Sequence, residues 1–257
     1  MRELRIFWAD TRGKTAIVLF VLWIVSLVHF ARANFFWYPP LAVVASVAFD
    51  MLLGNIRWRS WFFSPSSVVT GFLIGLILDP TGSVWMVVAA CAVASVSKMF
   101  LGAGKKKHVA NPAALGIVIA SVIFHRPVAW WVASWGTIPL VLIVTGMIPV
   151  LARLRRLWMP ALFLCMYVVT NLLFRPLPGA IKMTLDSTVI FFAFVMLPEP
   201  MTAISFGRWR YVWGGLVGAI VLVLTRASFA PADTLLVALL LANVIGFFVR
   251  VRPVRPV

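Results

Sequence analysis

Apolar runs bounded by Pro, Gly or charged residues recur along the whole chain, with polar residues gathered in short clusters between them. The first series predicts membrane-spanning helices near residues 15–31, 38–54, 66–79, 82–101 and 109–124. A Trp-rich segment follows, and a second series falls near 137–151, 157–174, 184–198, 211–226 and 234–249. A hydrocarbon core of about 30 Å asks for roughly twenty apolar residues per crossing, so several of these ten runs are short for a span. The first run, after Lys14, is followed by no small-residue cleavage site and is expected to remain as a first helix.

Composition sharpens this picture. The 257 residues are 63% hydrophobic and 12% charged, against about 45–50% apolar content in soluble domains. No soluble domain is expected, and residues 1–257 read as one integral membrane domain solvated by lipid. An excess of 23 Lys and Arg over 7 Asp and Glu would suggest nucleic acid in a soluble protein. Here the cations sit in short loops between spans, the aromatics lie in or beside spans, and no nucleic-acid partner is expected.

Orientation follows from the loops. With the N-terminus inside and one crossing per run, eighteen Lys and Arg fall on the inner side and five (Arg32, Arg126, Arg175, Lys182 and Arg226) on the outer. Excess positive charge holds loops in the cytoplasm, so both termini are expected there. A missed helix would exchange every later loop, so the split also supports the span count.

The two series repeat each other. A shift of 120 residues pairs Ser67 with Ser187, Asp79 with Glu199 and Pro80 with Pro200, and a later echo pairs Ala110-Asn111 with Ala242-Asn243. Five spans per half make the second copy enter from the opposite side. The expectation is therefore an all-α polytopic fold of about ten transmembrane helices in two inverted five-helix repeats, about 15–124 and 137–249.

Acidic groups inside a bilayer are costly and therefore informative. Asp79 and Glu199 each precede a Pro that ends a helix and frees backbone carbonyls; with Thr81 and Thr202 nearby, they could bind a cation or relay a proton. The competing reading is two span ends at the water interface. Asp186 is either a third member of an ion pathway or the N-cap of the eighth span. Asp50 is expected to pair with Arg57 or Arg59. Lys98 either snorkels or joins Lys105, Lys106 and Lys107 in a basic patch for a partner subunit, an anionic lipid or a flavin phosphate. Asn111 before Pro112 places an amide at the mouth of an apolar span, where it could cap the helix or hold a flavin edge. Trp130, Trp131 and Trp135 read mostly as interfacial anchors. Cys91 and Cys165 lie mid-span without a CxxC, and His29, His108 and His125 are far apart in sequence, so neither a metal site nor a catalytic set is expected.

Three segments carry a family resemblance: Thr70-Gly-Phe-Leu-Ile-Gly-Leu-Ile-Leu, Lys107-His-Val-Ala-Asn-Pro-Ala-Ala-Leu-Gly, and Asp186-Ser-Thr through Phe-Phe-Ala-Phe-Val-Met-Leu-Pro-Glu-Pro-Met-Thr202. In order and spacing they resemble the membrane subunits D of Rnf complexes and B of sodium-translocating NADH:quinone oxidoreductases. The resemblance implies a urea-transporter-like inverted repeat in a prokaryotic inner membrane. It also implies FMN or riboflavin as redox carrier, electron flow coupled to Na+ or H+, and other complex subunits as partners. On this resemblance Lys107, Asn111, Pro112 and Thr202 are candidate flavin residues, and Asp79, Thr81, Asp186 and Glu199 candidate ion-pathway residues. Typical members attach FMN to the Thr of a Ser-Gly-Ala-Thr motif, which this chain lacks; Thr137, after Ser134-Trp-Gly, lies in a comparable region and is not assigned as an anchor. Without a nucleotide-binding loop or cluster ligands, the chain would receive electrons from a cytoplasmic partner. The inverted repeat would equally serve a channel or secondary transporter for a small polar solute, and a structural scaffold is a third reading.

Overall fold

A computed structural model describes residues 10–102, 108–204, 207–227 and 232–251. Its elements are helical: α1 (Thr11–Phe30), α2 (Ala33–Trp58), α3 (Pro65–Ile77), α4 (Val84–Phe100), α5 (Pro112–Ile123), α6 (Thr137–Leu154), α7 (Trp158–Leu172), α8 (Leu177–Thr184), α9 (Ser187–Phe191), a π-helical turn (Phe192–Met196), α10 (Trp209–Arg226) and α11 (Thr234–Val251). Each of the ten apolar runs coincides with a helix. The ten runs left α8 in the loop between the seventh and eighth, and it meets the following segment at a bend of 52°. Helices α1, α2 and α6 are long and apolar enough to cross a bilayer, and the bent α8–α9–π pair makes a fourth candidate. Helices α3, α4, α5, α7 and α11 are shorter apolar helices.

The interior is mostly apolar but carries a set of polar side chains, and the outside is apolar as well. Val28, Val44, Trp85, Ile123, Val223 and Phe248 are exposed, while Ser26, Ser46, Asp50, Ser95, Asn111 and Asn243 are buried. An outer surface this apolar belongs in lipid, where no hydrophobic force holds helices together and close packing must do so. Glycine provides that closeness. A Cβ on Gly116 of α5 would stand 2.3 Å from Ala90 O of α4, and one on Gly214 of α10 would stand 2.0 Å from Met159 O of α7. Gly116→Val is therefore expected to cost about 1–3 kcal/mol by overpacking. Gly179→Ala, where the nearest atom is Arg175 Cβ at 3.6 Å, is expected to cost almost nothing. Thermal unfolding in detergent measures both.

Two devices satisfy backbone groups where helices break. Pro39 inside α2 removes the N–H that would bond Phe35 O, and Trp23 Nε1 donates to that carbonyl at 2.9 Å instead. Helix α3 ends at Ile77, whose carbonyl accepts from Ala129 N and Trp130 N, each at 3.0 Å, while Trp131 Nε1 donates to Gly75 O at 3.0 Å. Trp130 and Trp131 are buried. They are thus not the interfacial anchors that the sequence suggested: the Trp-rich segment folds inward and caps the broken end of α3. Trp135 is the most accessible of the three and stacks on His29 with ring centres 4.5 Å apart.

Candidate functional site

A cavity of 540 Å³ opens at the end of the molecule where α1 begins and α6 ends. That volume falls in the range of cofactor and small-ligand sites. Both halves of the chain contribute to its wall: Arg12, Asp50, Arg57, Trp58, Phe62, Lys98, Met99, His108, Asn111 and Pro112 from the first, and Met147, Leu151, Val195, Pro198, Glu199 and Met201 from the second.

Asn111 is fixed by two local features and one distant contact. Pro112 holds it extended, at φ −62° and ψ 117°, and so places it at the N-cap of α5. Its Oδ1 accepts from Ala114 N at 3.1 Å, and its own N–H donates to Asn243 Oδ1 at 2.7 Å. The Asn echo read from the sequence is thus a direct contact between α5 and α11. With its oxygen spent on the cap, the buried Nδ2 of Asn111 has no hydrogen-bond partner among the described residues. An unpaired buried donor in a cavity wall is a place where a ligand acceptor gains most.

Glu199 follows the π-helical turn, a local departure from α geometry that often marks functional sites. Thr202 Oγ1 donates to Glu199 Oε2. Buried Arg156 donates through Nη1 to Pro198 O at 2.8 Å and Glu199 O at 3.1 Å, and Arg250 donates to Met201 O and, at 2.9 Å, to His108 O. Guanidinium groups thus bond carbonyls around the chain break, Glu199 O sharing its bond with Ala203 N, and their charge suits the negative end of a helix. Burial lifts the Glu199 carboxyl above the usual range, against the Thr202 hydrogen bond and the charges of Arg12, Arg156 and Lys98. Burial and the neighbouring charges of Lys98, Arg12 and Arg250 push His108 down to about 4, so it is neutral at physiological pH. This end of the molecule is electropositive.

Asp50 does not pair with Arg57 or Arg59, and Lys98 does not snorkel. Lys98 Nζ meets Asp50 Oδ2 at 2.9 Å, with side chains 6% and 3% exposed. The pairing joins α2 to α4 across 48 positions of sequence, so no local pattern announced it. The signal that was available was an acid and a base each inside an apolar run.

Of the candidate flavin residues, Asn111 and Pro112 line the cavity, Thr202 is buried behind Glu199, and Lys107 lies outside the described residues. Lys105 and Lys106 lie outside them as well. Of the ion-pathway candidates, Glu199 lines the cavity. Asp79 stands elsewhere, beside the Trp-rich segment, and its Oδ1 accepts from Thr81 N at 2.8 Å and Thr81 Oγ1 at 2.7 Å. Asp186 is exposed and caps α9 by accepting from Thr188 N at 2.8 Å. A second, more open cavity takes in His125, Arg126 and Asp233. Sequence reasoning missed Arg156, Arg250 and the Asp50–Lys98 pair.

Residues 9–135 match the model described as the NQR2, RnfD, RnfE family. The match ends before Glu199, so the likeness of that later segment rests on its own residues. No curated protein matches the chain.

Proposed function

Since the chain belongs, through residues 9–135, to the NQR2, RnfD, RnfE family of membrane subunits of Rnf- and Nqr-type electron-transport complexes, we propose that it is a flavin-linked, ion-translocating subunit. In this reading FMN or riboflavin is held without a covalent bond in the 540 Å³ cavity. The observation that carries it is the Asn111 Nδ2, buried without a partner in the wall of a cavity shared by both halves.

The residues present fit such a group. Asn111 would donate to a ring carbonyl, Trp58 and Phe62 would wall the ring system, and Arg12 and Arg57 would receive a phosphate. A bound flavin supplies one- and two-electron transfer, which the protein tunes through hydrogen bonds and nearby charge. Thr137 is exposed at the end of α6 opposite Val150, Leu151 and Leu154, which line the cavity, and this supports noncovalent holding. Glu199, which keeps its proton more firmly than an ordinary carboxyl, serves as a proton-exchanging group beside the site. The partner subunits that supply electrons dock on the exposed Arg59, Arg153 and Arg155.

Ten crossings in two inverted halves are part of the proposal, with both termini in the cytoplasm of a prokaryotic inner membrane. Helix pairing supports the repeat: α1 packs on α3 as α6 packs on α9, α2 on α4 as α7 on α10, and α4 on α5 as α10 on α11. Charge placement supports the topology, because Arg12, Arg57 and Lys98 of the inner set meet at one cavity and Arg126 of the outer set lines the other. A solute channel would need one continuous polar passage, whereas these two cavities share no lining residue.

The chain should be purified in detergent with its complex and its visible flavin absorbance recorded before and after acid precipitation. Pigment released into the supernatant is the expected result. Pigment that stays with the protein would overturn noncovalent holding, and a colourless complex would overturn the flavin reading.

A further inference from the structure

A line of buried side chains, most of them polar and several with an unpartnered polar atom, runs along the α2–α4 interface. On α2, Tyr38, Ala42, Ser46 and Asp50 recur at every fourth position and so share one face. On α4, Cys91, Ser95 and Lys98 share the face that meets it. Six are buried, and the side chain of Lys98 is 6% exposed. Among the described residues, Tyr38 OH, Ser46 Oγ, Ser95 Oγ and Asp50 Oδ1 have no hydrogen-bond partner. These are four of the seven such buried atoms in the described residues, gathered between two helices.

The line starts at the large cavity and points toward the turn at Asp79. Asp50 lines the large cavity. Cys91 donates to Ala42 O at 3.4 Å and is within electrostatic reach of Asp50 and Lys98. Tyr38 is within electrostatic reach of both Cys91 and Asp79, and its hydroxyl approaches Gly82 in the turn that Asp79 caps. From Asp50 to Tyr38 the path covers about 18 Å of helix, a large part of an apolar core of about 30 Å. Buried hydroxyls and carboxylates almost always have a partner, and where no protein group serves, ordered water with two to four polar neighbours does.

We propose that the α2–α4 interface holds a single file of water that conducts protons between Asp50 at the large cavity and Asp79 at the opposite end. A proton taken from the cavity passes to Asp50 Oδ1 and then to the file. Each hydroxyl accepts a proton on its oxygen and releases its own hydrogen onward, Ser46 and Ser95 in the middle and Tyr38 last. Asp79 receives the proton and gives it to the outer surface. One proton leaves for each that enters, and nothing is oxidised or reduced. The route deepens the ion-translocation part of the reading above and rests on it in that respect alone; it needs no flavin, so a colourless preparation would leave it standing.

Two measurements on the full chain test it. Hydroxyl-radical labelling in lipid nanodiscs marks side chains that touch ordered water. Tyr38 and Cys91 are expected to be labelled despite their burial, while Met159, equally buried between α7 and α10, stays unlabelled. Unlabelled Tyr38 and Cys91, or Met159 labelled as strongly as they are, would overturn the file. In proteoliposomes under a potassium diffusion potential, proton uptake is expected for the unaltered chain, to be lost in Ser46→Ala/Ser95→Ala and kept in Ser46→Thr. No uptake above protein-free vesicles, or equal uptake in the double alanine variant, would overturn conduction.

Discussion

Lys98→Met is expected to lower the stability of the chain by about 3–5 kcal/mol, the usual cost of removing one member of a buried ion pair. The reason lies in what remains. Asp50 is 3% exposed and bonded to Lys98 at 2.9 Å, so the variant buries a carboxylate with no countercharge. Asp50→Leu together with Lys98→Met removes both charges, and replacing a whole buried pair by apolar groups is often close to neutral. The double variant should therefore recover most of the loss. Thermal unfolding of the single and double variants in detergent gives the coupling, and additive losses would show that the pair does not act as a unit.

Arg156→Met should have an effect of similar size through a different cause. Arg156 is 6% exposed and satisfies Pro198 O and Glu199 O, while its charge faces the Glu199 carboxyl. Its removal orphans the buried Pro198 carbonyl at about 1–3 kcal/mol, takes a countercharge from Glu199, whose own carbonyl keeps its bond from Ala203 N at 3.0 Å, and the Pro198–Met201 loop then loses its hold on the cavity wall. Arg156→Lys should recover only part of the loss, because a single ammonium on a shorter reach does not reproduce the guanidinium fork. Thermal midpoints of the two variants against the unaltered chain measure this, and full recovery by lysine would show that charge alone matters there.

The helices were legible because an apolar run flanked by Pro, Gly or charge is a local signal, and each of the ten runs is helical. Asn111 was legible for the same reason: the residue before a proline at the start of an apolar run has few conformations open to it, and its partner Asn243 appeared as an echo. The start of α9 at Asp186 was legible too, because Asp-Ser before an apolar run is an N-cap signal, and Asp186 caps that helix; the short α8 before it was not, because residues 175–183 carry Arg175, Pro176, Pro178 and Lys182 and read as a loop. Lys98 and Arg156 were misjudged or missed because a long side chain near a span end reads alike whether it reaches outward to water or inward to a partner. Which it does depends on the rotation of its helix, and that is set by contacts such as Gly116 against Ala90 that come from distant parts of the sequence. Trp130 and Trp131 were misread similarly: an indole suits both an interface and a buried acceptor, and here the Trp131 indole donates to Gly75 O of α3 while the Trp130 indole donates to Asp233 Oδ2 at 2.8 Å.

The most direct test of the account is the flavin content of the purified complex with the unaltered chain and with Asn111→Leu. The account predicts releasable flavin bound to the unaltered chain and loss of most of it in the variant, with the complex otherwise assembled, because the buried Nδ2 of Asn111, which has no partner among the described residues, is gone. Full flavin occupancy in Asn111→Leu would contradict the placement of the cofactor in this cavity.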